Sequence, residues 1–228
     1  MESITIVVPV FNEQESISST LLKLKKIIGD SEIIVVDDGS TDNSYNLARN
    51  ISGTKLIQHK KNRGYGAAIK TGIENAKHEI IVITDADATY PNERINDLVH
   101  TLEKGDFDMV VGSRKGKNVK IPLIRKPAKW SLGKLANYIT DQRIPDINSG
   151  LRVFKKSSFF PFQGILPDGF SFTTTVTLGM LLGGYKVEFI PIDYFERLGK
   201  SKIRPIKDTM NFIKLILRIG LYFAPLKI

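Results

Sequence analysis

The chain has 228 residues, 42% of them hydrophobic and 25% charged, a balance typical of one folded α/β domain with a small C-terminal appendage. It contains no cysteine, which excludes disulfides and thiolate metal sites. Its net charge of +9 favours anionic partners such as phosphorylated molecules, an anionic membrane or nucleic acid. The N-terminus leads directly into an apolar run without a basic segment or cleavage site, so we expect no secretion and residence in the cytoplasm.

The first half of the chain alternates apolar runs with amphipathic segments, as in βαβ units. We predict strands at residues 4–9, 32–36, 55–57, 79–84 and 109–112. We predict helices at residues 15–28, 42–51, 67–76 and 91–103, the last of them opened by Pro91. The runs at 33–36 and 80–83 are β-branched and uncharged, which is typical of strands buried on both faces of a sheet. This order predicts a mostly parallel central sheet flanked by helices.

The pattern weakens after Gly112. We predict a basic loop at residues 113–128, a helix at 129–140, a connector at 144–150, a strand at 151–154, a helix at 170–183 and a strand at 186–190. The chain then divides into a main domain, residues 1–203, and an amphipathic tail, residues 204–228, with a helix at 204–224.

The tail helix has an unusually wide apolar face and one narrow polar stripe. The stripe consists of Lys207, Asn211, Lys214 and Arg218. Charge interrupts the segment too often for it to span a bilayer, whereas a wide apolar face beside basic residues is typical of a helix lying on a membrane surface. Packing against a second subunit, in a homo-oligomer, is the alternative interpretation.

Two groups of acids follow predicted strands, at residues 37–42 and at 85–87. Strand ends are where open α/β sheets bind ligands. Asp85 and Asp87 have the spacing to share a hard divalent cation, which in turn holds a diphosphate. The simpler interpretation is a surface loop whose carboxylates cap the helix at Pro91. The placement after buried strands favours an enzyme that handles a nucleotide-activated substrate.

Basic residues concentrate in two stretches that contain no acid. They are Arg114, Lys115, Lys117, Lys120, Arg125, Lys126, Lys129 and Lys134 in the first, and Arg197, Lys200, Lys202, Arg204 and Lys207 in the second.

Other patterns carry no predicted site. Gly64-Tyr65-Gly66 lacks the third glycine of a dinucleotide-binding loop and is interpreted as a tight turn before a helix. His59, His78 and His100 are predicted to lie on the surface without a role.

Several of these segments resemble the successive motifs of family 2 inverting glycosyltransferases with the GT-A fold. The matching segments are residues 6–13, 36–42, 62–64 and 85–87. Three later segments, residues 112–114, 146–152 and 197–202, resemble the polyprenyl-phosphate sugar synthases, such as the dolichyl-phosphate mannose synthases. The resemblance covers residues 4–203 in order. It implies a single GT-A domain that transfers a hexose, with inversion, from a nucleotide sugar of the GDP-mannose or UDP-glucose type to polyprenyl or dolichyl phosphate.

The resemblance also implies roles for individual residues. It assigns nucleotide-sugar binding to Pro9, Phe11, Glu13, Val36, Asp38, Asp85, Ala86 and Asp87. It assigns the metal, Mg²⁺ or Mn²⁺, to Asp85, Asp87 and Thr89. It assigns binding of the acceptor phosphate to Arg114, Arg125, Lys129 and Ser131, and catalysis to Asp87, Arg114, Arg197 and Lys202. Thr89 stands where the family often has glutamine, so its reach to the metal is expected through water. Residues 170–175 stand where many relatives carry acids, which implies a change in sugar or acceptor recognition.

A lipid phosphate is already an anionic nucleophile, so catalysis would consist of positioning and charge neutralisation without a strong base. One alternative is transfer to a glycan or lipid-linked oligosaccharide, which needs a carboxylate base, with Asp146 as the candidate. Another is a nucleic-acid-binding module, disfavoured because the basic stretches lack interleaved aromatic residues. We therefore expect a nucleotide sugar, a prenyl phosphate and a membrane surface as partners, no nucleic acid, and a location on the cytoplasmic face of a membrane.

Overall fold

The computed structural model describes residues 3–29, 31–119, 126–197 and 205–223, which form one seven-stranded sheet flanked by helices. The strands are β1 (Ile4–Val10), β2 (Glu32–Asp37), β3 (Lys55–Gln58), β4 (Ile80–Ile83), β5 (Met109–Val119), β6 (Arg152–Lys155) and β7 (Val187–Tyr194). The helices are α1 (Ile17–Ile28), α2 (Ser44–Arg49), α3 (Tyr65–Glu74), α4 (Ile95–Lys104), α5 (Lys126–Thr140), α6 (Lys156–Phe159), α7 (Phe172–Leu182) and α8 (Pro205–Phe223). Short 3₁₀ turns lie at Asn92–Arg94 and Phe160–Ile165.

The strands lie in the order β3-β2-β1-β4-β6-β5-β7. Strand β6 runs antiparallel to β4 and β5, and the other neighbouring strands are parallel. The predicted α/β class with a mostly parallel sheet is therefore confirmed. Because β1, β2 and β4 are parallel neighbours, their carboxyl ends meet at one edge of the sheet, and the acids after β2 and β4 are brought to the same place.

Alternate side chains of β1 enter two separate cores. Ile6 and Val8 pack with α1 and α4 on one face, whereas Val7 packs with α3 on the other. All three are inaccessible to solvent. Burial of aliphatic side chains of this kind contributes about 1.5–3 kcal/mol each, so the central strands are the rigid base on which the strand-end loops stand.

The prediction of a loop from residue 113 was wrong for residues 113–119. Strand β5 continues to Val119 and pairs with β7 at Ser113, Arg114 and, beyond an irregularity, Val119. Lysine and glycine have low strand propensity, so the local sequence hides an extension that pairing with a distant strand stabilises. Helix α6 and the 3₁₀ turn after it were also absent from the prediction.

One part of the wide apolar face of α8 packs against the rest of the protein, and another part is exposed to solvent. Phe212, Ile216 and Ile219 are buried against side chains of α5 and α7. Met210 and Leu221 are half-exposed, at 50% and 56%. Packing within the chain thus buries part of the apolar face, and a narrower row of apolar side chains remains exposed. Among the described residues, none of the helices has the length and apolar character needed to cross a bilayer.

Candidate active site

A cleft of about 360 Å³ opens at the edge of the sheet where β1, β2 and β4 end. This volume is in the range of small-molecule sites. The lining residues are Pro9, Val10, Phe11, Glu13, Asp38, Asn62, Gly64, Tyr65, Ala68, Asp85, Ala86, Asp87, Phe170 and Arg197. Eight of the predicted site residues are in this set, drawn from four separate parts of the sequence. Val36 is not, because its side chain is buried in the core beneath α3.

The segment from Asp85 to Thr89 is fixed by contacts on both sides. The Thr20 hydroxyl donates to the carbonyl of Ala86 at 3.2 Å, and Ala88 adopts a left-handed conformation with φ of 59°. The Thr89 hydroxyl donates to Oδ1 of Asp87 at 2.6 Å. Thr89 therefore orients Asp87 directly, and a contact with a metal remains a prediction.

Asp85 and Asp87 lie close enough for their charges to repel. Burial and, after it, the neighbouring charge of Asp87 raise the pKa of Asp85 to about 7, although the hydrogen bond from Tyr65 acts to lower this pKa. Burial and the charge of Asp85 raise the pKa of Tyr65 as well, so its hydroxyl keeps its proton. Two carboxylates that repel each other at the edge of a cleft are the donor set that a divalent cation fits.

The described residues contain no cluster of three or more histidine, aspartate or glutamate side chains suited to a metal. A cation at Asp85 and Asp87 would therefore complete its coordination with substrate phosphate oxygens and water, as Mg²⁺ sites commonly do.

Arg197 crosses the mouth of the cleft. Its guanidinium forms an ion pair with Oε1 of Glu13 and another with Oδ2 of Asp87, the latter at 3.3 Å. Its side chain remains 24% exposed. An arginine held beside the acids, but still open to the cleft, is well placed to bind the phosphates of a ligand.

Asp38 is the centre of a buried hydrogen-bond network at the other end of the cleft. Its carboxylate accepts hydrogen bonds from the backbone N–H groups of Arg63 and Gly64, at 2.9 and 2.8 Å. Nδ1 of His59 lies 2.7 Å from Asp38 Oδ1, and Nε2 lies 3.0 Å from the Thr71 hydroxyl. The prediction that His59 is an inert surface residue was wrong, because the side chain is buried and supports a residue of the cleft.

Arg114 has a partner that the sequence did not predict. Its Nε and Nη2 donate to the two carboxylate oxygens of Asp146 at 2.7 and 2.9 Å, and Nη2 also donates to Asn148. Burial alone would lower the pKa of Arg114, but Asp146 raises it well above the usual value. The guanidinium also lies over the ring of Tyr194. Arg114 is absent from the cleft lining, and its role in phosphate binding remains a prediction.

The model of glycosyl transferase family 2 matches residues 5–160, more than half of the chain. The chain belongs to glycosyl transferase family 2. This family 2 enzyme is a glycosyltransferase with the GT-A fold, as its sequence predicted.

Two curated relatives of this glycosyltransferase match along most of their length. It is 25% identical to the dolichyl-phosphate hexose transferase of Haloferax volcanii, over 96% of this chain and 95% of the relative. It is 27% identical to the undecaprenyl-phosphate mannosyltransferase of Micrococcus luteus, over 86% of each. Among solved structures, it is similar in fold to glucosyl-3-phosphoglycerate synthase from Mycobacterium tuberculosis in complex with Mn²⁺, UDP and phosphoglyceric acid. That likeness has a TM-score of 0.75 at 20% identity and covers 96% of this chain and 78% of the other.

Some predicted site residues of the glycosyltransferase lie beyond these observations. Lys202 and Arg125 are outside the described residues. Lys129 and Ser131 belong to α5, and their side chains lie outside the described part of the structure. Their assignments to catalysis and to the acceptor phosphate stay predictions.

Tyr65 and Phe170 line the cleft of the glycosyltransferase but were not predicted as site residues. Tyr65 lies between the two glycines of a segment that was interpreted as a tight turn. Phe170 lies in a segment that was interpreted only as a departure from the family pattern. The neighbouring sequence does not mark either residue as part of a site, because the two residues meet only through contacts between distant parts of the chain.

Proposed function

We propose that this glycosyltransferase transfers a hexose from a nucleotide sugar to a polyprenyl phosphate, with a divalent cation at Asp85 and Asp87. The observation that carries the proposal is a cleft that brings together Asp38, the acid pair and Arg197. The relatives named for hexose transfer to dolichyl phosphate and mannose transfer to undecaprenyl phosphate support the choice of acceptor.

The donor side of the proposal follows the two ends of the cleft. The nucleoside would lie between Pro9, Phe11 and Asp38, where a carboxylate held by backbone donors is a rigid acceptor for a base N–H. The diphosphate would lie toward Asp87 and Arg197. UDP and Mn²⁺ in the related solved structure are consistent with this arrangement.

When bound, the cation would neutralise charge on the departing diphosphate. The protein's own contribution is to hold the acid pair in place, through Thr89 at Asp87, and to bring Arg197 to the same phosphates. Preorganised positive groups of this kind stabilise charge as it develops on the leaving group without rearranging.

The acceptor side requires no base. A prenyl monophosphate is anionic near neutral pH and attacks the anomeric carbon with its own oxygen, while the bond to the nucleotide breaks and the configuration inverts. A glycan hydroxyl would need a carboxylate base. Asp146, the candidate for that role, is buried and bound through both oxygens to Arg114, which disfavours the glycan alternative.

The exterior of α8 is consistent with an acceptor that resides in a membrane. Met210 and Leu221 are exposed on this helix, and so are Lys214 and Arg218. We propose that this apolar row and the adjacent basic residues lie on the cytoplasmic face of an anionic membrane, where each basic residue adds about 1 kcal/mol of attraction.

A donor screen tests the proposed reaction. Purified protein is incubated with a short-chain prenyl phosphate and each of several UDP- and GDP-sugars, with Mg²⁺, Mn²⁺ or EDTA. We expect one donor to release its nucleotide and form a glycolipid, with activity lost in EDTA and a β-linked product from an α-linked donor by NMR. Equal turnover in EDTA, or retention of configuration, would refute the corresponding part of the proposal.

A further inference from the structure

Two parts of the sequence without a predicted role form one wall of the cleft. Tyr65 is the first residue of α3, and Phe170 lies in the loop before α7. Their rings are stacked, with centroids 5.7 Å apart and planes inclined by 24°. Phe170 remains 38% exposed, so the stack is open to the cleft on the Phe170 side.

The backbone holds this wall together. A Cβ atom at Gly64 would collide with the carbonyl oxygen of Asp168, and one at Gly66 with that of Pro167. Gly64 also has a φ of 108°, a conformation that other residues rarely adopt. The N–H of Ala67 donates to the Asp168 carbonyl at 3.1 Å. The glycine turn thus serves to bring the loop that carries Phe170 directly onto the start of α3.

The Tyr65 hydroxyl reaches from this wall to the acid pair. It donates to Oδ1 of Asp85 at 2.8 Å. On another side of the same carboxylate, a Cβ at Gly150 would come within 2.9 Å of Oδ2, so the backbone of Gly150 lies close against this carboxylate. Asp85 is therefore confined between a hydroxyl donor and a backbone surface.

We infer that Tyr65 is a positioning residue that presents Asp85 to the divalent cation, and that Phe170 holds Tyr65 in place; the inference rests on the proposed function. A carboxylate whose Oδ1 is held by a hydrogen bond has a fixed orientation, so its remaining lone pairs would keep one direction toward the cation. A phenylalanine at position 65 would fill the same space and stack in the same way, so the hydroxyl has no packing role to explain its presence. Groups that hydrogen-bond a metal ligand typically change metal affinity by 10- to 100-fold when removed.

Direct titration with Mn²⁺ tests this inference. Free Mn²⁺ is measured by electron paramagnetic resonance with the parent, Tyr65→Phe and Tyr185→Phe, each with UDP or GDP, whichever binds the parent. We expect Tyr65→Phe to raise the apparent Kd for Mn²⁺ by roughly tenfold, with unchanged nucleotide binding in EDTA. Tyr185→Phe is the matched control, because its ring packs on Phe162 away from the cleft lining, and it should match the parent.

An unchanged Mn²⁺ affinity in Tyr65→Phe would overturn the inference and leave the proposed function intact. If the parent itself bound no Mn²⁺ with either nucleotide, the inference and the metal part of the proposed function would both fail. If Tyr65→Phe does not fold, Phe170→Leu decides, because it keeps the hydroxyl and removes the stacked ring. A weaker Mn²⁺ affinity in that variant supports the inference, and parent affinity overturns it.

Discussion

Two arginines that the family resemblance places together differ in their surroundings. Arg114 is bound bidentately to an aspartate that is fully buried, whereas Arg197 bridges Glu13 and Asp87 at the partly exposed mouth of the cleft. Removing one partner of a buried ion pair is costly, and the cost falls as the pair becomes more open to solvent. The two residues are therefore expected to respond differently to the same substitution.

Arg114→Ala should lower the free energy of unfolding by about 3–5 kcal/mol, because Asp146 would be left as a buried charge without its partner. Arg197→Ala should lower stability less, because the Arg197 side chain is 24% exposed whereas that of Arg114 is 13% exposed, and it should lower kcat/KM by roughly 10²-fold, as for a lost electrostatic donor. Urea unfolding and steady-state kinetics on both variants measure the contrast. An Arg114→Ala protein with parent stability but low kcat/KM would show instead that Arg114 binds phosphate, as the resemblance implies.

Asp87→Asn should abolish transfer while leaving the fold intact, because it removes a proposed metal ligand at the surface of the cleft and no core contact. The isosteric amide keeps an oxygen that can accept from Thr89. Circular dichroism and thermal unfolding check the fold, and nucleotide release checks activity. Activity that persists with the same dependence on Mg²⁺ or Mn²⁺ would mean that the acid pair serves only to cap the following turn.

His59→Ala should weaken nucleotide binding more than it lowers kcat. The substitution removes a hydrogen bond to the Asp38 carboxylate, and such bonds to charged groups contribute about 1.5–3 kcal/mol. We expect KM for the donor to rise by roughly tenfold or more, on that basis. His100→Ala, at an exposed position of α4, is the control. Equal kinetic constants for the two variants would show that His59 has no influence on the cleft.

At the scale of elements, α8 belongs to the fold on one side and is open on the other. Its inner residues share a hydrophobic cluster with Leu178 and Leu181 of α7, so deleting the helix would expose part of the core. Membrane attachment is therefore better tested by charge on the outer row than by truncation.

The variant Met210→Glu with Leu221→Glu should lose co-sedimentation with anionic vesicles, while the parent pellets and salt weakens its binding. Leu22→Glu on α1 is a matched control, because Leu22 is also 50% exposed and lies on a different helix. Equal sedimentation of the parent and the α8 variant would contradict the membrane role. A dimer in solution that the α8 charges dissociate would favour the subunit-interface alternative.

The elements also mark the limit of what the sequence predicts. Strands β1, β2 and β4 and the acids after them are local patterns, because a buried parallel strand is apolar over its whole length and its end is marked by the change to polar residues. His59, Tyr65 and the Arg114–Asp146 pair depend on contacts between positions 20 to 32 residues apart, for which the sequence holds no local signal. The extension of β5 was missed for the same reason, since its partner β7 follows much later in the chain.

Both halves of the chain contribute residues to the cleft. The acids lie at the ends of β2 and β4. Arg197, whose guanidinium lies beside them, follows β7 at the far edge of the sheet. The net charge of +9 is consistent with a substrate pair in which donor and acceptor are both anionic. A nucleic-acid-binding function would not explain the cleft or its acid pair.

The proposed acceptor is a prenyl phosphate, and a competition assay between acceptors tests this choice. The protein is given its donor and Mn²⁺ together with equal amounts of a prenyl phosphate, the matching prenol without phosphate, and phosphoglyceric acid, and the products are identified by mass spectrometry. We expect a hexosyl-phosphoprenol as the product of the parent and no product from Asp87→Asn. Hexose on phosphoglyceric acid or on the prenol, with none on the prenyl phosphate, would contradict this choice.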